Sequence, residues 1–295
     1  MNIYLAKHSG FCFGVKRAIK LAEETAKEYG KAITIGPIIH NPQMVERLQN
    51  DGVSAVEDIN LIESGPVIIR SHGIPNKSLD VLQSKELVII DATCPYVNKA
   101  HEFAKIADKQ GYEIVILGDK THPEIIALQS YIKSKVYFWE KSDVLPKSKY
   151  TKVAIICQTT QNVDNLNILA NMLTPISNEL RIFNTICNAT NVRQQASLEL
   201  AKICDLMIVI GGKNSSNTKM LAKLCSEYAE TKHIEIADEI ELSWLEKYNN
   251  QGINIGMTAG ASTPDWIIIE IYSKLCKIAG IEIPSMHSID EIPSY

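Results

Sequence analysis

The sequence lacks several features that mark common classes of protein. No apolar run reaches the roughly 18 residues needed to span a bilayer. The start, MNIYLAKHSGF, has no charged segment, apolar stretch and cleavage site of the kind found in signal peptides. Lysine and arginine number 30 against 34 aspartates and glutamates, which gives a net charge of −4 and no cationic surplus for nucleic acid. We therefore expect a cytoplasmic protein that binds neither nucleic acid nor membrane.

Close cysteine pairs and nucleotide motifs are missing as well. The seven cysteines include no C-x-x-C pair, which excludes a zinc ribbon or a ferredoxin-type run. A reducing cytoplasm argues against a disulfide framework. Neither the dinucleotide-binding G-x-G-x-x-G pattern nor the G-x-x-x-x-G-K-[ST] phosphate loop occurs. The cysteines are therefore expected to be core residues, metal ligands or nucleophiles.

Short β-branched runs alternate with amphipathic helical stretches along nearly all of the 295 residues, of which 45% are hydrophobic. This alternation predicts an α/β fold with mainly parallel sheets covered by helices. A weak internal repeat divides it into three similar small α/β units at 1–95, 96–190 and 191–280, followed by a tail at 281–295. Predicted strands cover residues 2–7, 32–36, 66–71, 87–93, 113–118, 135–140, 152–158, 181–186, 206–212, 233–238 and 253–259.

The cysteines divide into two groups by local pattern. Four lie within strand or helix patterns and are predicted to be plain core residues: Cys157, Cys204, Cys225 and Cys276. The other three, Cys12, Cys94 and Cys187, each lie in a loop that opens a helix. A helix N-terminus favours the thiolate, which is the form that binds metal. These three are either ligands of one metal site or unrelated loop cysteines.

Polar residues also follow the strands, in the zone where α/β proteins bind ligands. His40, His72 and His122 each end or follow a strand, and their equivalent places favour a binding role over a structural one. Glu124 stands at a helix start, where it either complements the helix dipole or donates a proton. The remaining histidines that resemble surface or helix positions are assigned no role: His101, His233 and His287.

Two further loops are rich in hydrogen-bond donors. In GGKNSSNTK, a Gly-Gly pair follows a strand and Ser215, Ser216 and Asn217 open a helix. The backbone N–H groups and polar side chains there form either a phosphate cradle or an ordinary helix cap. TAGASTPD repeats this style with Ser262, and QTTQ places Thr159 after a strand.

Nine motifs together closely resemble the family of 4-hydroxy-3-methylbut-2-enyl diphosphate reductases, also called the IspH or LytB family. They occur in family order across residues 8–265: HSGFCFGVKRA, GPIIHNPQ, RSHGIP, DATCPYVNK, GDKTHPE, QTTQ, TICNATNVRQ, KNSSN and TAGASTPD. Each motif alone is weak, but the ordered set covers nearly the whole chain.

The resemblance implies a specific site. Cys12, Cys94 and Cys187 are implied to hold one [4Fe–4S] cluster at the centre of the three units, with one iron left open. The implied diphosphate-binding residues are His40, His72, His122, Ser215, Ser216, Asn217 and Ser262. Glu124 is implied to donate a proton beside His122 and Thr159.

The implied reaction is the reductive removal of a hydroxyl group. It converts 4-hydroxy-3-methylbut-2-enyl diphosphate, a small allylic diphosphate, into isopentenyl and dimethylallyl diphosphate. This is the last step of the non-mevalonate isoprenoid pathway, and an external one-electron donor, a ferredoxin or flavodoxin, is expected. Two other functions stay open from the residues: an iron–sulfur hydro-lyase, which needs no external electrons, and a non-catalytic phosphate- or nucleotide-binding protein. The KNSSN loop and the motif set favour the reductase over the hydro-lyase.

Overall fold

The computed structural model describes residues 1–140, 149–246, 252–281, 286 and 288–294. Its strands are β1 (Asn2–Leu5), β2 (Ala32–Ile35), β3 (Val53–Val56), β4 (Val67–Ile69), β5 (Ile89–Asp91), β6 (Glu113–Leu117), β7 (Val136–Trp139), β8 (Tyr150–Cys157), β9 (Ser177–Phe183), β10 (Leu206–Ile210), β11 (Glu230–Ile234) and β12 (Asn254–Ala259). Its α-helices are α1 (Phe13–Tyr29), α2 (Pro42–Asn50), α3 (Asn76–Ser84), α4 (Pro95–Lys109), α5 (Pro123–Gln129), α6 (Val163–Leu173), α7 (Asn188–Ala201), α8 (Ser216–Cys225), α9 (Ser243–Glu246) and α10 (Asp265–Ala279).

The strands form three four-stranded sheets, and all the strand pairings within them are parallel. The predicted α/β class with parallel sheets is therefore confirmed. Helices alternate with these strands because a parallel connection must cross the sheet before the next strand can pair. Proline at the first helical position starts α4 and α5, where its fixed φ suits a helix and its missing N–H costs no bond.

The chain divides into two compact units. The first contains residues 1–12, 40–44 and 188–295, and its sheet has the order β1-β12-β10-β11. The core of this sheet is apolar on both faces, and every residue of β10 is buried. Such a continuous apolar strand is typical of a parallel sheet covered by helices on both sides.

The second unit contains residues 13–39 and 45–187 and holds two sheets. Their strand orders are β3-β2-β4-β5 and β7-β6-β8-β9. The central strands β6 and β8 carry fully buried apolar runs, and helices contribute apolar side chains on both faces. Each sheet therefore directs the carboxyl ends of its four strands, with the loops that follow them, to one edge.

Several local features differ from the prediction, among them β9, which begins at Ser177, earlier than the predicted strand at 181–186. β3 was not predicted, because only Val53 of its four residues is buried and the segment shows no apolar periodicity. β11 begins at Glu230, earlier than the predicted strand at 233–238. β1 pairs with β12, so the first strand shares a sheet with the C-terminal strands. The boundaries at 95 and 190 remain a prediction.

The described part of the tail packs against the sheet of the first unit. Leu5 donates its N–H to the carbonyl of Pro293 at 2.8 Å, and Leu5 also forms a parallel bridge with Ser294. Ile292 is buried in the apolar core. His287 lies outside the described residues. Across the described ranges, no helix is both long enough and apolar enough to cross a membrane.

Candidate functional site

In the second unit, His122 and Glu124 form the start of α5. His122 is the N-cap residue, and its Nδ1 accepts the backbone N–H of Glu124 at 3.1 Å. Because Nδ1 accepts, the neutral imidazole must carry its proton on Nε2. The local helix start therefore fixes the tautomer of His122 and makes its Nε2 a hydrogen-bond donor.

The Glu124 carboxylate is buried and bound through both oxygens to one residue. Thr159, in the loop after β8, donates its backbone N–H to Oε1 at 2.7 Å and its hydroxyl to Oε2 at 2.8 Å. Burial raises the pKa of Glu124 from 4.5 to about 7, and the two bonds from Thr159 oppose this rise. A carboxyl group with this pKa is present in both protonation states near neutral pH, as a proton donor requires.

The loop that binds this acid also contacts Cys187, and the loop of Cys94 contacts the loop that carries His72. The backbone N–H of Cys187 donates to the Thr159 carbonyl at 3.0 Å, and the N–H of Cys94 donates to the Ser71 carbonyl at 2.9 Å. His72 follows Ser71, and its ring lies edge-on to that of His122 with 5.5 Å between the centroids. The second unit thus gathers Cys94, Cys187, His72, His122, Glu124 and Thr159 at neighbouring strand ends.

In the first unit, the loop after β10 forms a polar helix start. Ser215 caps α8, and its Oγ accepts the N–H of Thr218 at 3.3 Å. Asn217 is 4% exposed, yet neither its Oδ1 nor its Nδ2 has a hydrogen-bond partner among the described residues. Burying a polar amide without a partner is costly. Together with the N-terminus of a ten-residue helix, this amide fits a site for an anion.

The loop after β12 packs tightly against that helix start. The N–H of Gly260 donates to the carbonyl of Ile210 at 2.8 Å, and the hydroxyl of Thr263 donates to the same carbonyl at 3.0 Å. A Cβ on Gly260 would collide with the hydroxyl of Thr218. Glycine is therefore required here for close approach, and Ser262 is held beside the loop that contains Asn217.

Cys12 and His40 also adjoin these loops of the first unit. The N–H of Cys12 donates to the carbonyl of Ala261, the neighbour of Ser262, at 3.1 Å. The His40 carbonyl would lie 2.6 Å from a Cβ built on Gly212, so the backbone at His40 touches the Gly-Gly turn. The first unit thus gathers Cys12, His40, Ser215, Ser216, Asn217 and Ser262.

The four cysteines predicted to be core residues are all buried, whereas Cys12, Cys94 and Cys187 are partly exposed, and all seven are free thiols. Burial raises the pKa of the thiols of Cys157, Cys204 and Cys225 to about 12. Burial therefore disfavours the thiolate form of these three, which is the form that binds metal. The division of the cysteines into two groups follows the local pattern that the sequence shows.

Several supporting residues were not predicted. Arg17 donates to the carbonyls of Asp91 and Thr93, just before Cys94, at 3.0 and 3.1 Å. Arg193 is buried and donates to the carbonyl of Gly10, near Cys12, at 2.8 Å. His101 has no predicted role, but it is buried on α4 against Tyr131, and burial lowers its pKa to about 4. The only sequence signal for the two arginines is their place in motifs that also contain a loop cysteine.

Fold and site together define an α/β protein with the groups of an enzyme at its strand ends: partly exposed thiols, a buried acid and a helix start suited to an anion. The family model described as "LytB protein" matches residues 3–276. The chain belongs to this family.

Named relatives support this assignment over nearly the full length. A protein of Geobacter metallireducens (strain ATCC 53774 / DSM 7210 / GS-15), called 4-hydroxy-3-methylbut-2-enyl diphosphate reductase, is 47% identical over 283 residues, covering 94% of this chain and 98% of the relative. A protein of the same name from Geotalea uraniireducens (strain Rf4) is 45% identical over 280 residues, covering 94% and 98%.

Two solved structures are similar. One is described as (E)-4-hydroxy-3-methyl-but-2-enyl diphosphate reductase, the terminal enzyme of the non-mevalonate pathway; it is 42% identical, with a TM-score of 0.66, and the match covers 94% of this chain and all of that one (100%). The other, the E-1-hydroxy-2-methyl-but-2-enyl-4-diphosphate reductase from Plasmodium falciparum, is 26% identical, with a TM-score of 0.83 and coverage of 98% and 96%.

The raised pKa of Glu124 predicts a pH-dependent stability. The folded protein holds this proton more tightly than the unfolded chain does, so the stabilisation is complete below pH 4.5 and is lost as the pH rises through about 7. The loss is on the order of 3 kcal/mol, since one pKa unit corresponds to about 1.4 kcal/mol. Glu124→Gln does not titrate. Urea unfolding at pH 5 to 8 should therefore show wild type losing stability relative to this variant as the pH rises.

Glu102→Gln, which removes an exposed carboxyl group from α4, is the matched control. Its difference from wild type should stay nearly constant over the same range. A constant difference for Glu124→Gln would mean that Glu124 stays ionised in the folded protein.

Proposed function

We propose that this chain reduces 4-hydroxy-3-methylbut-2-enyl diphosphate to isopentenyl and dimethylallyl diphosphate, the last step of the non-mevalonate isoprenoid pathway. One observation carries the proposal beyond the names of the relatives: the buried Glu124 carboxyl, with its pKa raised to about 7, is bonded to Thr159, which in turn accepts the N–H of Cys187. The unit thus joins an acid suited to protonate a leaving hydroxyl to a cysteine with the character of a metal ligand.

The three loop cysteines fit the [4Fe–4S] cluster that the motifs imply. Cys12, Cys94 and Cys187 form no disulfide and are partly exposed, and each immediately precedes a helix. Cys94 is the N-cap residue of α4, a place where the helix dipole stabilises a thiolate. When bound, the cluster would supply electrons one at a time and, with three protein ligands, would leave one iron without a protein ligand.

The donors of the first unit are suited to bind the diphosphate. The start of α8 is formed by Ser215, its N-cap residue, and by Ser216 and Asn217, its first two residues. Ser262 follows β12, and all four side chains are uncharged. Backbone N–H groups at a helix start, together with hydroxyl and amide donors, bind phosphate oxygens. His40, His72 and His122 complete the proposed set.

We assign proton delivery to Glu124. Removal of the substrate hydroxyl breaks a C–O bond and consumes two electrons and two protons: one proton leaves with the oxygen as water, and the other ends on carbon. Protonated Glu124 supplies the first. The Thr159 hydroxyl, at 2.8 Å from Oε2, can pass that proton on, because a hydroxyl both donates and accepts.

The cluster itself can be tested by absorption and electron-paramagnetic-resonance spectra of anaerobically purified protein. Wild type should be brown, and its spectrum should shift on adding the diphosphate substrate. Cys12→Ser, Cys94→Ser and Cys187→Ser should each lose most of the colour, whereas the buried controls Cys204→Ala and Cys225→Ala should keep it. A colourless wild type that iron and sulfide cannot reconstitute would overturn the cluster.

Glu124→Gln should keep the cluster and the binding of substrate but lose about 100-fold or more in kcat, the usual contribution of a positioned general acid. In wild type, kcat should fall above pH about 7, where Glu124 loses its proton. Steady-state turnover with a small chemical reductant measures both, and Glu102→Gln is the control. Normal turnover by Glu124→Gln would remove this residue from the proton path.

Asn217→Ala should raise KM by roughly 10- to 100-fold with little change in kcat, because a hydrogen bond to a charged group contributes about 1.5–3 kcal/mol. Asn214→Ala, in the same loop but exposed, is the matched control and should leave KM unchanged. An unchanged KM for Asn217→Ala would mean that the KNSSN loop only starts a helix and does not bind the substrate.

A further inference from the structure

In the second unit, Arg17 holds the segment that leads into Cys94. From α1, its Nη1 donates to the carbonyl of Thr93 at 3.1 Å, and its Nη2 donates to the carbonyl of Asp91 at 3.0 Å. The guanidinium group is planar and presents its N–H groups in a fixed fork. Because one fork binds two carbonyls, it fixes the direction of the chain as well as its position, and Cys94 is the next residue after Thr93.

Separate bonds hold the N–H groups of the same segment. The Asp91 carboxylate accepts the N–H of Thr93 at 2.8 Å, and the N–H of Ala92 donates to the carbonyl of Ile69 on β4 at 3.1 Å. Loss of the guanidinium group would therefore remove the partner that Arg17 offers to the carbonyls and leave these N–H bonds in place. The expected effect is a local loosening of the chain before Cys94.

In the first unit, Arg193 holds the segment that leads into Cys12. It is buried on α7, where its Nη2 donates to the carbonyl of Gly10 at 2.8 Å and its Nη1 donates to the carbonyl of Ala189 at 3.2 Å. The bond to Ala189 anchors the guanidinium group on its own helix, so the bond to Gly10 ties the segment to that helix. A buried charged group is costly unless it is hydrogen-bonded, and these bonds meet that requirement.

The backbone before Cys12 has a conformation that needs support. His8 has a φ of 63° and Gly10 a φ of 84°, both in the left-handed region. Glycine adopts this region easily, whereas a side chain such as that of histidine disfavours it. Such a conformation persists where the surrounding structure holds it. The segment thus bends just before Cys12, and Arg193 binds it at the bend.

The segment before Cys187 is held by a hydroxyl group instead. The Oγ1 of Thr185 accepts the N–H of Cys157 at 2.9 Å and donates to the carbonyl of the same residue. Each segment that leads into a loop cysteine therefore has a side chain bonded across it to the backbone. In two of the three segments this side chain is an arginine.

We propose that Arg17 and Arg193 are positioning residues for the [4Fe–4S] cluster. They hold the segments before Cys94 and Cys12 so that both thiols are in place for iron before the cluster binds. The proposal rests on the proposed function, which implies the cluster. A ligand on a fixed backbone needs no ordering when metal binds, and groups that orient metal ligands typically contribute about 10- to 100-fold to metal affinity.

The test separates the shape of the guanidinium group from its charge. Arg17→Lys and Arg193→Lys keep the positive charge but replace the fork with a single ammonium group, which does not reproduce two fixed bonds. Arg17→Gln and Arg193→Gln remove the charge as well. Arg181→Lys and Arg181→Gln are the matched controls, because Arg181 is exposed on β9 and donates to the side chain of Gln110.

Reconstituted full-length proteins are compared by the rate of iron release to a chelator and by the electron-paramagnetic-resonance spectrum of the reduced cluster. All measurements are made below the unfolding transition of each variant. The Arg17 and Arg193 variants, lysine and glutamine alike, should release iron about 10- to 100-fold faster than wild type. Their spectra should differ from that of wild type, because the geometry of the ligands has changed. The Arg181 variants should match wild type in both measurements.

Hydrogen exchange of the full-length chain without the cluster localises the effect. Arg17→Lys should speed exchange at residues 91–94 and leave residues 8–12 at the wild-type rate, and Arg193→Lys should do the reverse. This cross-comparison distinguishes positioning of one segment from a general loss of stability, which would speed exchange throughout the chain. If the glutamine variants do not fold, the lysine variants carry the test.

Three results would overturn the proposal. Wild-type iron release and spectra in the lysine variants, with losses in the glutamine variants alone, would assign the effect to charge. Wild-type iron release in every variant would show that the thiols do not depend on the arginines. Exchange that rises evenly along the chain would reduce both arginines to a role in stability. A wild type that takes up no iron and sulfide would refute the proposed function and this proposal together, and that outcome is read from wild type without any variant.

Discussion

Parallel pairing is the constraint on which the rest of the structure depends. In each sheet all four strands run the same way, so the loops that carry chemistry leave from one edge. Every such loop must then turn into a helix, and each helix start presents unpaired N–H groups. Thiols, carboxylates and anions are the groups that these N–H groups favour. The reactive residues stand at strand-to-helix junctions because that is where a parallel sheet offers uncompensated backbone donors.

Glu124 shows how such a junction tunes a functional group. Its place at the start of α5 and its two bonds from Thr159 favour the carboxylate, and burial favours the neutral acid. Burial is the larger effect and brings the pKa to about 7. If Thr159 were absent, the acid would hold its proton more tightly; if the site were open to water, it would be ionised. The balance of the two effects leaves an acid that can both lose and regain a proton at neutral pH.

Much of this could be predicted from the sequence because the signals are local. Continuous β-branched runs predict all the strands except β3, and loop context separates Cys12, Cys94 and Cys187 from the buried cysteines. The missing parts depend on partners far along the chain. β1 pairs with β12, about 250 residues away, and the bond from Arg193 to Gly10 spans 183 residues. His101 is buried because α4 packs against other elements of the fold, and the sequence of α4 alone does not show that packing.

Neutral donors explain how a chain with a net charge of −4 could act on an anion. Around Asn217, the donors are hydroxyls, an amide and backbone N–H groups, none of which must be desolvated as an ion. Neutral donors suit a substrate that must be held in one orientation, because hydrogen bonds are directional.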